Sequence, residues 1–183
     1  PGGGIYTLPD GEEIWIDIGL EDYEVTSLVM TDSLALYASC SFGGVFCYNE
    51  ESLLWDQTNE GLDDLNVEAL VTTPDGMLVA GTKTSGLYTM NPGTRIWRRI
   101  GSEELTIVAM DVYNGTVVIG TDYDGFYYYR SGMAGPERIP VGDGGDLSGV
   151  GKFPYLTSMS IGPDGHIAFL SRNRVFKSFC PID

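Results

Sequence analysis

The sequence predicts an all-β protein, a β-propeller of four-stranded antiparallel blades, and three observations predict it. A glycine-apolar-aromatic triplet recurs at Gly4-Ile5-Tyr6, Gly44-Val45-Phe46, Gly86-Leu87-Tyr88 and Gly125-Phe126-Tyr127, and without its glycine at Arg174-Val175-Phe176, with spacings of 40, 42, 39 and 49 residues. Eleven residues after each of the first three glycines stands a tryptophan, Trp15, Trp55 and Trp97, with Pro136 at that place in the fourth repeat. The apolar runs between these markers are short, rich in β-branched and aromatic residues, and interrupted by Gly or Pro within about ten residues, a pattern that signals strands and no long helix. Self-similarity at about 40 residues with four strands per unit distinguishes a propeller from a β-sandwich, which also has short, regularly spaced strands.

In chain order, the first segment reads as a third and a fourth strand, Ile5 to Leu8 and Ile14 to Ile18. Three full units follow, and the whole divides into repeats at about 1–19, 24–60, 66–100, 105–140 and 155–183, one propeller domain or propeller segment over residues 1–183. Innermost strands are expected at Val25 to Met30, Val67 to Val71, Ile107 to Met110 and Leu156 to Ile161. The last three turn into their second strands through tight hairpins, Pro74-Asp75-Gly76, Asn114-Gly115 and Pro163-Asp164-Gly165, because Pro presets φ and Gly or Asn accepts a positive one. The last repeat ends at a third strand, Val175 to Phe179, so the opening hairpin is placed to supply its outer strand and close a four-bladed ring. The alternative is an open arc, part of a larger propeller or half of a paired ring, with exposed edges and faces that demand a partner. Trp15, Trp55 and Trp97 are expected to pack between successive blades, since each sheet buries both faces.

Composition narrows function. The 183 residues carry 26 acids against ten bases, a formal charge of -16, with 43% hydrophobic residues. That much apolar surface sustains a core, and no apolar run approaches the roughly 18 residues of a membrane helix. No basic, apolar leader opens the sequence. Three lysines and seven arginines scattered among acids suit neither nucleic acid nor an anionic membrane. Cys40, Cys47 and Cys180 are an odd number without metal-ligand spacing, leaving one disulfide plus a thiol, or three thiols, open.

Val67 to Ile100 resembles a two-component-regulator propeller repeat: an apolar strand, Pro-Asp-Gly, an apolar strand ending Gly81-Thr82, then Gly86-Leu87-Tyr88 and the tryptophan strand. The same residues are similar to the repeats of Asp-box and photosystem-assembly-factor propellers. Of the Asp-box aspartate five residues before the tryptophan only Asp10 matches, with Glu50 and Pro92 in the other places. The resemblance implies an extracellular or periplasmic, non-catalytic module, either a sensing ectodomain or a subunit of an assembly, that binds protein partners through its loops. It equally brings in sialidase-like propellers as the alternative, glycan-binding or glycan-hydrolysing. Against hydrolysis, the expected inner strands contain no arginine to hold a substrate carboxylate, and the lone His166 follows a turn glycine, so no catalytic residue and no cofactor is assigned.

The candidate site is therefore a loop face. Each outer-to-inner connection carries one small acidic motif, Gly19-Leu20-Glu21-Asp22, Gly61-Leu62-Asp63-Asp64, Gly101-Ser102-Glu103-Glu104 and Gly145-Asp146. Equivalent loops of equivalent blades emerge on one side, so Glu21, Asp22, Asp63, Asp64, Glu103, Glu104 and Asp146 are expected to ring one mouth, suited to a basic or cation-bridged protein partner or a larger assembly, including further copies of the chain. Tyr123, Tyr127 and Tyr129 are candidate stacking platforms, and Asp143 with Asp146, in the long insertion Val141 to Phe153, is a sparse calcium candidate that lacks a following glutamate.

Overall fold

A computed structural model describes residues 3–102, 104–139, 156–171 and 174–177. Glu103, Asp143, Asp146, Cys180 and the insertion around Val141 to Phe153 lie outside the described residues. The described chain forms seventeen strands in five sheets. The first sheet is a hairpin, β1 (Ile5–Thr7) and β2 (Ile16–Gly19). Three four-stranded sheets follow: β3 (Glu24–Met30), β4 (Leu36–Ser41), β5 (Gly44–Asn49) and β6 (Leu54–Gln57); β7 (Val67–Thr72), β8 (Leu78–Thr82), β9 (Leu87–Met90) and β10 (Trp97–Ile100); β11 (Ile107–Tyr113), β12 (Thr116–Thr121), β13 (Phe126–Arg130) and β14 (Glu137–Arg138). The last sheet is β15 (Leu156–Ile161), β16 (Ile167–Ser171) and β17 (Arg174–Lys177). Every strand pairs antiparallel with its sequence neighbour, the meander of a propeller blade.

The repeat extends to backbone detail. All four innermost strands break register at the same place, between Val25 and Ser27, Val67 and Ala69, Ile107 and Ala109, and Leu156 and Ser158. A bulge inserts one unpaired residue and sharpens the local twist, which turns each inner strand out of its entering loop. The hairpins form where Gly and Asn allow them. Asn114 and Gly115 have φ of 47° and 75°, the two positive values a type I′ turn requires, and Gly76 donates its N–H to the Thr73 carbonyl across the Pro-Asp-Gly turn.

Four hydrophobic cores lie between consecutive sheets. Tyr37, Val45 and Cys47 of one blade meet Val67, Leu78, Tyr88 and Trp97 of the next; Val79, Leu87 and Ile100 then meet Ile107, Ile119 and Tyr129. Val118 and Phe126 meet Leu156, Ile167 and Phe169, and Ile5 and Leu20 of the hairpin meet Ala38, Cys40 and Phe46. The middle strands β8 and β12 are buried along their whole length, as a sheet packed on both faces must be. Close approach requires small residues there. A Cβ at Gly81 would lie 2.4 Å from Ile107 Cγ2 of the next blade, and one at Gly120 would lie 2.9 Å from Leu156 Cδ2.

The tryptophans follow one rule and one exception. Trp97 Nε1 donates to the Thr58 carbonyl at 2.6 Å, and Trp55 Nε1 to the Ile18 carbonyl at 2.7 Å. Each indole reaches back to the outer edge of the preceding sheet and meets the residue three positions beyond the tryptophan of that repeat. Trp15, expected to be packed between blades, is 63% exposed, because no described sheet lies on the far side of the hairpin. Among the described residues the hairpin is not seen to supply the outer strand of the last sheet: β17 pairs with β16, and β1 and β2 pair with one another.

Candidate interaction face

The connections between blades meet the turns between second and third strands, which puts both on one face. Gly44 N–H in the β4–β5 turn donates to the Leu65 carbonyl, Lys83 N–H in the β8–β9 turn to the Asn66 carbonyl, and Asp122 N–H in the β12–β13 turn to the Thr106 carbonyl. The β2–β3 connection joins them through Tyr23, whose ring packs against Phe46 and the β4–β5 turn at Gly43. Glu21, Asp22, Asp63, Asp64 and Glu104 therefore share this face.

These carboxylates have different jobs. Asp64 Oδ2 accepts the N–H and the hydroxyl of Thr84 at 2.8 and 2.7 Å, and Oδ1 accepts the Asn66 N–H at 2.9 Å, so the side chain ties its connection to the β8–β9 turn. Partial burial pushes its pKa up, but these hydrogen bonds outweigh it and hold the carboxyl below its ordinary value. Asp63 accepts the Tyr88 hydroxyl at 3.1 Å; burial and this carboxylate raise the phenol pKa. Glu21, Asp22 and Glu104 stand exposed in solvent. Asn59 buttresses the β6–β7 connection from below, accepting the Val45 N–H at 2.7 Å and donating to the Gly43 carbonyl at 3.0 Å.

The tyrosines separate. Tyr123 is 47% exposed at the tip of the β12–β13 turn. Tyr129 is buried in the core between the second and third blades with Tyr127 half-buried against the same cluster, so Tyr129 offers no stacking platform and Tyr127 little of one. Strand alternation is the reason: Tyr127 and Tyr129 share the face turned to the preceding blade, while the Tyr128 hydroxyl donates to Glu137 at 2.5 Å. Phe42, which the sequence reading passed over, is 79% exposed at the tip of the β4–β5 turn with φ of 61°. Its signal was present in the repeat alignment, where Phe42, Thr84 and Tyr123 all stand two residues before the signature glycine. Asp122 and Asp124 flank Tyr123 and add to the acidic face.

Elsewhere, a cleft of about 540 Å³ runs between β2 and β6, lined by Ile16, Tyr48, Leu54 and Trp55. His166 sits in its own turn, its main-chain N–H donating to Asp164 Oδ1 at 3.3 Å, its Nδ1 3.0 Å from Asp164 Oδ2 without a hydrogen bond, and Lys177 Nζ of β17 3.5 Å from the same oxygen. No group of three metal-binding His, Cys, Asp or Glu occurs among the described residues, and no helix of the structure is long and apolar enough to cross a membrane.

No protein-family model matches the chain, and no curated protein matches it. Solved structures do. The extracellular domain of a protein described as a hybrid two-component system from B. thetaiotaomicron superposes with a TM-score of 0.74 at 15% identity, covering 96% of this chain and 24% of that one. YCF48 bound to D1 peptide gives 0.69 at 16% identity, covering 99% of this chain and 59% of that one. A protein described as a gluconolactonase gives 0.62 at 10% identity, covering 90% and 63%. The chain thus has the β-propeller fold and spans about a quarter of the two-component-system domain it matches.

Proposed function

We propose that this chain is a non-catalytic propeller module that binds a partner protein outside the cytoplasm through its acidic loop face. The observation that carries the reading is the assembly of Glu21, Asp22, Asp63 and Glu104 with the exposed rings of Phe42 and Tyr123 on one side of the blades. Carboxylates around protruding aromatics suit Lys and Arg side chains, whose charge is attracted by the acids and whose cation sits favourably over a ring. Extracellular and peptide-bound propellers among the structural neighbours support an interaction role and an extracytoplasmic setting. The neighbour described as a gluconolactonase shares the fold, whereas the inner strands β3, β7, β11 and β15 of this chain carry no Lys or Arg to hold an acidic substrate.

The test is a screen of the chain against arrayed Lys- and Arg-rich peptides, followed by titration of the best binder at rising salt. Binding is expected to weaken with ionic strength and to fall at least about tenfold in Phe42→Ser/Tyr123→Ser, as hot-spot aromatics do. Salt-insensitive binding, or indifference to both rings, overturns the reading. Saturable binding of a neutral sugar panel that depends on the same rings favours the glycan alternative.

A further inference from the structure

We propose that a cavity between the first and second four-stranded blades, on the side opposite the loop face, binds a free amino acid with an apolar side chain, whose carboxylate Arg95 takes. The turns β3–β4, β5–β6 and β9–β10 emerge at the other end of the strands from the β4–β5 and β8–β9 turns, so this site is separate from the acidic face. The cavity has a volume of about 520 Å³, within the range of small-molecule sites, and residues 24–100, which form both blades, are described without interruption. All of its lining belongs to the first of these blades except Arg95, and Cys47 is the only buried member. Arg95 stands where Leu53 stands in the preceding repeat, two residues before the tryptophan, and both are left-handed, with φ of 54° and 59°. The Arg95 N–H donates to the Asn91 carbonyl at 3.0 Å as the Leu53 N–H does to the Asn49 carbonyl at 2.8 Å. The turn itself therefore asks for no charge. Yet the guanidinium reaches back across the blade boundary, with Nη2 3.8 Å from Cys47 Sγ. Beside it, burial pushes the Tyr37 pKa up to about 12, Cys47 adds to the rise and the Arg95 charge opposes it. Among the described residues no carboxylate lies within salt-bridge distance of Arg95, although Glu50 and Glu51 line the same cavity. A guanidinium presents five N–H donors in a fork that matches a carboxylate, and a thiol occupies one of them weakly.

Charge and lining decide the ligand. Residues 1–82 hold sixteen of the 26 Asp and Glu and no Lys or Arg, so a simple anion is repelled on its way to Arg95. A zwitterion is not. Its ammonium group is served by Glu50 and Glu51, exposed in the β5–β6 turn, which Asn49 Oδ1 holds by accepting the N–H groups of Glu51 and Ser52 at 3.0 and 3.2 Å. Its side chain is served by Leu34, Leu36 and Tyr48, of which Leu34 is 70% exposed and gains most from being covered. A carboxylate, an ammonium group and an apolar side chain on one small molecule describe an amino acid such as leucine or phenylalanine.

The experiment titrates the 183-residue chain with L-leucine and L-phenylalanine by calorimetry, beside leucinamide, which lacks the carboxylate, and N-acetyl-leucine, which lacks the ammonium group. At least one of the two amino acids is expected to bind saturably. Leucinamide should bind at least about tenfold more weakly than leucine although the field of the acids favours it, and N-acetyl-leucine at least about threefold more weakly. Arg95→Leu, which the equivalent turn at Leu53 shows to be compatible with the backbone, should weaken the amino acid at least about tenfold. Arg95→Lys, which keeps the charge and loses the fork, should weaken it about threefold to tenfold. Far-UV circular dichroism confirms that both variants keep the fold. No saturable binding of either amino acid up to about 10 mM overturns the proposal. So does binding that survives Arg95→Leu, or leucinamide or N-acetyl-leucine matching leucine. Phe42→Ser/Tyr123→Ser should leave amino-acid binding unchanged and Arg95→Leu should leave basic-peptide binding unchanged, so failure here and failure of the loop-face reading are told apart.

Discussion

Replacing each tryptophan by phenylalanine perturbs three equivalent positions of one repeat, and the structure assigns them three different costs. At Trp97 the change removes the Nε1–H that satisfies the Thr58 carbonyl at 2.6 Å, beside a side chain only 2% exposed. A buried acceptor left without its donor costs about 1–3 kcal/mol. The smaller ring gives up roughly 40 Å² of buried apolar surface, about 1 kcal/mol at ~25 cal/mol per Å². Together these predict a loss of about 2–4 kcal/mol, or roughly 4–16 °C in Tm for a domain of this size. At Trp55 the same bond, 2.7 Å to Ile18, is half-buried, and water replaces part of it, so about 1 kcal/mol is expected. At the exposed Trp15 the effect should stay within about 0.5 kcal/mol. Urea titrations followed by far-UV circular dichroism measure all three. Native emission gives a second readout: Trp15→Phe should remove the reddest component and move the maximum to the blue, and Trp97→Phe should move it to the red. Equal destabilisation at the three sites, or Trp15 proving the costliest, would refute the account of inter-blade packing.

Gly81→Ala should destabilise by about 1–3 kcal/mol, since its Cβ would meet Ile107 Cγ2 at 2.4 Å, while Gly76→Ala, with φ of 78° and open space around it, carries only backbone strain of about 1–2 kcal/mol. Thermal melts of the pair separate crowding from strain, because an Ile107→Ala background, which lacks Cγ2, should reduce the first and leave the second. Asp64→Asn should cost about 1–2 kcal/mol at neutral pH through weakened bonds to Thr84 and Asn66. Because the folded carboxyl titrates below its unfolded value, that difference should be full above about pH 5 and shrink as pH falls through the lowered value, below about pH 4; denaturation curves across this range test the sign. Cys40 and Cys47 sit in different inter-blade cores, and burial pushes the Cys40 thiol up to about 11. Disulfide mapping should find no Cys40–Cys47 bond, and Cys40 should meet thiol reagents only in denaturant.

Strand positions were legible because the repeat averages over local ambiguity. The inner strands expected at Val67 to Val71 and Leu156 to Ile161 are observed at Val67–Thr72 and Leu156–Ile161. What escaped the sequence depends on neighbours that a linear pattern does not show. Four aromatics in a row, Phe126 to Tyr129, fit either phase of alternation, so the burial of Tyr129 became apparent only once blades were stacked. Glycine in a strand interior offers no side chain to pack, yet at Gly81 and Gly120 the next blade occupies the space a Cβ would need. Trp15 looked identical to Trp55 in sequence, and its exposure follows from the absence of a described sheet beyond the hairpin. Repeat logic treats the acidic loops alike, and the sequence did not separate Asp64, a clamp on Thr84, from the exposed Glu21 and Asp22.

Internal repetition also works as a control within the molecule. A feature that packing requires should recur in every blade, as the inner-strand bulge does in all four. A feature that packing does not require is free to differ. The turn-tip position holds Phe42, Thr84 and Tyr123, and Phe42 and Tyr123 are large, exposed rings that no core uses. The acids follow the same logic. The acidic motif recurs in each connection, whereas all ten bases lie at or beyond Lys83, so the net negative charge is concentrated before that residue. On the proposed reading, such a field orients an approaching cationic partner toward the first blade before contact, within the roughly 8–10 Å that physiological salt permits. The association rate of a basic partner should therefore fall steeply with salt, while its dissociation rate, set by Phe42 and Tyr123 once docked, should change little.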